Sequence, residues 1–219
     1  MRSDVESVFD AISYLKGSSL IRMLVSHLGI EDFLKGIAAY LKKHSYGNAK
    51  TTDLWAALSE ASGKEVAAFM DNWIRKIGFP VVTIAEEPGQ LGIKQNRFLS
   101  SGDLSEGEDE TLWWIPLGLK AGSQANPVST EALSSREETL RNVDESFYKI
   151  NSDSVGFYRT NYPPARLAQL GAVKDRLSVE DRISLIADAA ALAVSGDGTT
   201  AGLLTLLENF QDETSYAYV

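Results

Sequence analysis

The chain has 219 residues, enough for one large domain or two to three small ones and too many for a single small repeat. Apolar residues make up 44% and charged residues 23%, ordinary globular proportions that exclude wholesale disorder, and no apolar run approaches the ~20 residues of a membrane span. The 21 basic and 30 acidic side chains leave a net charge of -9, whose field repels phosphate backbones and anionic headgroups, so nucleic acid and membrane are not expected as partners.

In chain order, the first predicted helix runs from Val5 to Leu28, with Val5, Val8, Phe9 and Ile12 and then Leu20, Met23, Leu24 and Leu28 on its stripe. Lys16-Gly17 interrupts that stripe, and the missing side chain of Gly17 suggests a close backbone approach. Phe33, Leu34, Ile37, Tyr40, Leu41 and His44 mark a second helix, with Glu31 and Asp32 in its first turn and Lys42 and Lys43 in its last, matching the macrodipole. A shorter helix follows Thr52 with Leu54, Trp55 and Leu58. The next carries Val66, Phe69, Met70, Trp73 and Ile77, entered by a Ser62-x-x-Glu65 capping box and closed by Gly78 before Pro80.

From Phe79 to Tyr162 the pattern switches to period two, with candidate strands at 81–86, 91–99, 111–120, 129–134, 138–143, 147–151 and 156–161. Such a run suggests a small antiparallel sandwich with Val82, Ile84, Ile93, Trp114 and Phe157 facing inward, and an exposed acidic hairpin loop at 101–110. Helices return at 165–170, 179–194 and 200–210, the last two separated by Gly196-Asp197-Gly198, with Gly196 ending one and Thr199 or Thr200 capping the next. The predicted boundaries therefore divide the chain into 1–78, 79–162 and 163–219. The apolar end Ser215-Tyr-Ala-Tyr-Val219 reads as a cut rather than a natural terminus.

Little chemistry is written in the residue types. Zero cysteines exclude disulfides, thiolate zinc sites, Fe-S clusters and thiol nucleophiles, and together with the lack of glycosylation sequons they favour the cytoplasm. The two histidines, His27 and His44, sit on different helices without a His-Glu-x-x-His pattern, so no metal is assigned. Asp103, Glu106, Glu108, Asp109 and Glu110 lack the order of a calcium loop. Gly196-x-Gly198-x-x-x-Gly202 follows a helix with the wrong spacing for a dinucleotide fingerprint, and no Gly-x-Ser-x-Gly elbow occurs. Tyr14 lies about 200° around from Ile12 at 100° per residue, on the side of Gly17 and Ser18. It is either an ordinary boundary residue or a phenol presented to a cleft as an oxyanion donor.

The segment Phe9-Asp10-Ala11-Ile12-Ser13-Tyr14-Leu15-Lys16-Gly17-Ser18-Ser19 resembles the stretch that follows the zinc site in zinc-dependent aminopeptidases of the puromycin-sensitive and fungal alanine/arginine type. Thr52-Asp53-Leu54-Trp55, Trp73 to Pro80, Gly156 to Tyr162 and Asp181 to Asp188 are similar to further landmarks of that family, in the same order. The resemblance implies the helical end of a thermolysin-like catalytic domain, then a small β-sandwich, then the start of an all-α domain. It implies a fragment of a zinc enzyme that removes N-terminal residues from peptides. The family's zinc helix, its glutamate ligand and its Gly-x-Met-Glu-Asn loop for the substrate amine would lie upstream, so the isolated chain is expected to be inactive and to bind no zinc.

Of the family's catalytic residues only the tyrosine carries over, onto Tyr14, which would stabilise the tetrahedral intermediate; Phe9 matches a position lining the pocket for the substrate's first side chain. The rival reading is a non-catalytic protein-interaction module built on the β-sandwich. Loss of covering structure would also expose Val8, Ile12, Ile21 and Val25, so weak self-association through the N-terminal helices is expected.

Overall fold

The structure is a computed structural model and describes residues 12–102, 110–122, 132–144 and 146–214, with side chains described from Tyr14 onward. Phe9, Val8, the acidic segment 103–109 and the end at 215–219 lie outside the described residues. Two compact units are resolved, Met1–Ile77 and Gly78–Val219. No helix among the described residues is long and apolar enough to cross a membrane.

The first unit is helical. A π-helical turn at Ile12–Lys16 runs directly into α1, Gly17–Leu28. The stripe Leu20, Met23, Leu24 and Leu28 is buried, and α1 ends where Gly29 takes a φ of 90° that other residues avoid. The close approach expected at Gly17 is corrected: a Cβ there meets nothing within 4 Å among the described residues. The close approach is at Gly36, the only fully buried residue described in α2, Ile30–Lys43. A Cβ on Gly36 would stand 2.8 Å from Leu58 Cδ2 and 3.0 Å from Leu58 Cα, so the missing side chain lets α2 and α3, Thr51–Ser62, touch at their backbones.

The landmark Thr52-Asp53-Leu54-Trp55 has a local purpose. Asp53 Oδ2 accepts from the Lys50 N–H at 2.7 Å at the start of α3, and Trp55 enters the core. The Ser62-x-x-Glu65 capping box is also corrected. Ser62 closes α3 by donating to Leu58 O at 2.7 Å, and α4, Val66–Ile74, begins later, its Val66 N–H donating to Ser59 Oγ at 3.1 Å. Val66, Phe69, Met70 and Trp73 are buried, the face expected from their spacing.

The second unit combines helices with small sheets. Strands β1, Pro80–Glu87, and β2, Gln90–Arg97, form a hairpin at Gly89, and the turn requires its φ of 73°. The remaining strands are short: β3 at Ile115–Pro116, β4 at Lys120–Ala121, β5 at Ala132–Leu133, β6 at Glu137–Arg141, β7 at Tyr148–Lys149 and β8 at Arg159–Asn161. They build a four-stranded sheet ordered β6-β2-β1-β8 and the pairs β3-β5 and β4-β7. The expectation of an antiparallel sheet fails at one edge, because β8 runs parallel to β1, with Val82 opposite Thr160. A parallel neighbour needs a long crossover, and the chain between Glu87 and Arg159 supplies one.

Val82, Ile84 and Ile93 are buried as expected, whereas Trp114 and Phe157 are only half-buried. Their neighbours Trp113 and Tyr158 point inward instead, 1% and 6% exposed. A period of two has two phases, and here hydrogen bonds choose between them: Trp113 N–H donates to Gln95 Oε1 at 2.8 Å and Tyr158 O–H to Leu117 O at 2.7 Å. The expected long strand at 111–120 is broken by Pro116 and by Gly118, whose φ is 54°.

Three helices complete the unit: α5, Pro164–Ala172, with proline in its first turn; α6, Val179–Ser195; and α7, Thr200–Glu208. Ser178 caps α6 by accepting from Asp181 N–H at 3.2 Å, and Thr199 caps α7 by accepting from Gly202 N–H at 3.0 Å. Gly196, left-handed at φ 87°, ends α6.

Candidate functional site

Tyr14 stands in the middle of the π-helical turn and is 56% exposed. Single π turns in helices are frequent at functional sites. The turn is tied down on its far side: Ser19 Oγ donates to Leu15 O at 2.8 Å, Ser18 Oγ donates to the same oxygen at 3.1 Å, and Lys16 Nζ reaches Lys76 O at 3.4 Å. Burial holds the Lys16 ammonium below its ordinary pKa. The site therefore presents a phenol, a hydrogen-bond donor, from a backbone turn fixed by its neighbours. The sequence spacing carries no sign of the π turn. A run with only Gly17 out of place carries no period-4.4 signature.

The histidines serve packing. His27 stacks on Phe69 with ring centroids 4.9 Å apart and an interplanar angle of 4°, while Lys64 Nζ donates to His27 O. Burial, aided by the Lys64 charge, lowers the imidazole pKa. His44 leans on Tyr40, centroids 5.3 Å apart. No group of three or more metal-ligating side chains converges among the described residues, so the residues described here do not fit a zinc ion.

The landmarks 156–162 and 181–188 meet in the second unit. Asp188 on α6 accepts from the Thr160 N–H and the Arg159 guanidinium of β8, both at 2.9 Å. Burial nevertheless pushes the Asp188 carboxyl up. About two turns earlier, Asp181 Oδ1 pairs with Lys149 Nζ at 2.8 Å and accepts from the Asp153 N–H at 2.7 Å, with both charged side chains at most 1% exposed. Asn151, Asp153 and Ser154 all have positive φ, a strained turn that these bonds hold in place. The sequence contained this network only as charged residues at strand and helix positions, and pairing between distant elements has no local signal.

A cavity of about 100 Å³ between β8, α5, α6 and α7 is lined by Tyr162, Leu167, Leu185, Leu192 and Thr199. That is well below the ~300 Å³ of a small-molecule pocket, and Thr199 is occupied as a helix cap. Gly196 and Gly198 belong to the α6–α7 connection and Gly202 to the first turn of α7, and the element that precedes them is a helix.

Residues 1–73 match the Peptidase family M1 domain and residues 147–219 match the ERAP1-like C-terminal domain. Aminopeptidase 2 of Candida albicans is 48% identical over 217 residues, covering 97% of this chain and 23% of that protein. Two Saccharomyces cerevisiae proteins, "Aminopeptidase 2, mitochondrial" and "Alanine/arginine aminopeptidase", are each 44% identical over 97% of this chain, which covers 22% and 25% of their respective lengths. The chain thus spans about a quarter of the length of these relatives. An M1 peptidase domain is thus matched at residues 1–73, and aminopeptidases align along 97% of this chain.

Proposed function

We propose that the chain serves a zinc aminopeptidase that releases N-terminal amino acids from peptides, and that Tyr14 is its contribution to the chemistry. The observation that carries this reading is the M1 peptidase match at residues 1–73, which includes Tyr14 and the π turn that presents it. In this role the phenol O–H donates to the oxygen that becomes negative as the scissile carbonyl turns tetrahedral, an interaction stronger in the transition state than in the ground state. Phe9 lines the pocket for the substrate's first side chain. Zinc is held by residues outside these 219, since the sequence contains no His-Glu-x-x-His. Division into the end of a catalytic domain (1–78), a β-sandwich (79–162) and the start of a helical domain (163–219) belongs to the same proposal, as does a cytoplasmic location, which suits the cysteine-free composition.

The test is Tyr14→Phe in an enzyme containing this segment intact. Loss of one oxyanion donor lowers kcat by roughly 10²- to 10³-fold, with KM near its original value and thermal stability unchanged. Full activity in the variant, or a lowered melting temperature with kcat intact, would make Tyr14 a boundary residue. The 219-residue chain alone is expected to hold no stoichiometric zinc and to leave aminoacyl anilides uncut. One zinc per chain after dialysis, with chelator-sensitive hydrolysis, overturns that part.

A further inference from the structure

We propose that α2 is a self-association surface on which a second copy of this chain packs its own α2 in antiparallel orientation. Ile30, Leu34 and Leu41 are 56%, 57% and 60% exposed, and Ile37 between them is half-buried. Their spacing of four, three and four is the d-a-d-a seam by which paired helices interlock. The seam lies roughly 100–160° around the helix from Gly36, at 100° per residue, and it is through Gly36 that α2 rests on Leu58 of α3. The fold has therefore spent one side of α2 on its own packing and left an ordered apolar row on another.

The charges on α2 select the occupant and its direction. Glu31 and Asp32 stand in the first turn, Lys42 and Lys43 in the last. When two copies run antiparallel, Ile30 faces Leu41 and Leu34 faces Ile37. The acidic end of each helix then lies beside the basic end of the other, and the helix dipoles oppose favourably. Parallel pairing would set like charges together. The arrangement is isologous: one two-fold axis passes between Leu34 and Ile37, and each copy offers the same surface it receives.

The dimer is weak. Fourteen residues at 1.5 Å each give a contact about 21 Å long, well short of the ~800 Å² per partner of a stable interface, so association is expected to be weaker than about 1 µM.

Sedimentation velocity on the 219-residue chain over a concentration series should show a reversible monomer–dimer equilibrium. Reversing one end, Lys42→Glu with Lys43→Glu, should weaken it by about tenfold or more, and adding Glu31→Lys with Asp32→Lys should restore it. Glu31, Lys42 and Lys43 are exposed and Asp32 is half-buried, all in the first or last turn, and helical circular dichroism confirms folding of each variant. Because the chain has no cysteine, orientation can be read directly. A mixture of Ile30→Cys and Leu41→Cys chains should form a mixed disulfide dimer under mild oxidation, while neither variant alone should cross-link. A strict monomer at every concentration, failure of the charge swap to restore association, cross-linking of Ile30→Cys with itself as fast as in the mixture, or flotation with anionic vesicles in place of dimerisation would each overturn the proposal.

Discussion

Gln95 shows what a single buried amide can decide. It is fully buried in β2, where its Nε2 donates to Trp113 O at 3.0 Å and Ser135 O at 2.9 Å while its Oε1 accepts from Trp113 N–H. Backbone segments with almost no strand pairing of their own are thus stitched to the main sheet through one side chain. Gln95→Leu keeps the volume and the alternation but strands the Trp113 N–H and the freed carbonyls away from water. Each such orphan costs about 1–3 kcal/mol, so chemical denaturation should show a loss of at least that size with little change in the slope. An unchanged midpoint would mean that water replaces the amide. The same residue explains a limit of the sequence. Trp113-Trp114 offers two aromatic phases to a period-two pattern, and a glutamine 18 residues away selects the first.

At the scale of elements, the helices and the long strands β1 and β2 were legible and the extents of the short strands were not, for one reason. Helix α4 writes its buried face in its own sequence and closes its hydrogen bonds within itself, whereas β3, β4, β5 and β7 are two-residue pairings that exist only because distant segments hold them. The β7–α6 contact is the clearest case, since Lys149 is fully buried and Asp181 Oδ2 has no hydrogen-bond partner among the described residues. Burial lowers the Lys149 pKa, and the nearby Asp181 only partly offsets it. Such a pair is weak evidence of net stabilisation, yet breaking it is expensive. Lys149→Met should cost roughly 3–5 kcal/mol by leaving Asp181 charged and alone, while the double variant Lys149→Met with Asp181→Leu should recover most of that loss. If the double variant is as unstable as the single, the role of Asp181 in accepting from Asp153 N–H and holding the strained 151–154 turn outweighs the pair itself. Either result measures an element junction that no local pattern could announce.

Across the whole molecule, the two units carry different titrating groups and should respond to acid in different windows. In the first unit His27 has its pKa lowered by burial against Phe69 and by Lys64, even though a helix C-terminus favours the charged ring. A histidine depressed in the folded state contributes stability that is complete above its unfolded value, near 6.5, and lost as pH falls through the folded value. In the second unit burial raises the Glu86 carboxyl, but hydrogen bonds from Tyr148 O–H and Arg166 Nε, both 2.6 Å, and the Arg166 charge bring it below its ordinary value. Its contribution is complete above about 4.5 and disappears only as pH drops further. Asp188 runs the other way: with a raised pKa its ionised form is costly, so protonation in acid relieves part of the strain. Hydrogen-exchange protection, corrected for the intrinsic pH dependence of exchange, should therefore fall in α1 and α4 as pH drops below about 6.5 while β1, β2 and α6 hold theirs. His27→Phe retains the aromatic stack and removes the titration, so it should flatten the response of the first unit without moving that of the second. A first unit whose protection is flat over that range, or a His27→Phe chain that keeps the slope, would place the acid sensitivity in another group.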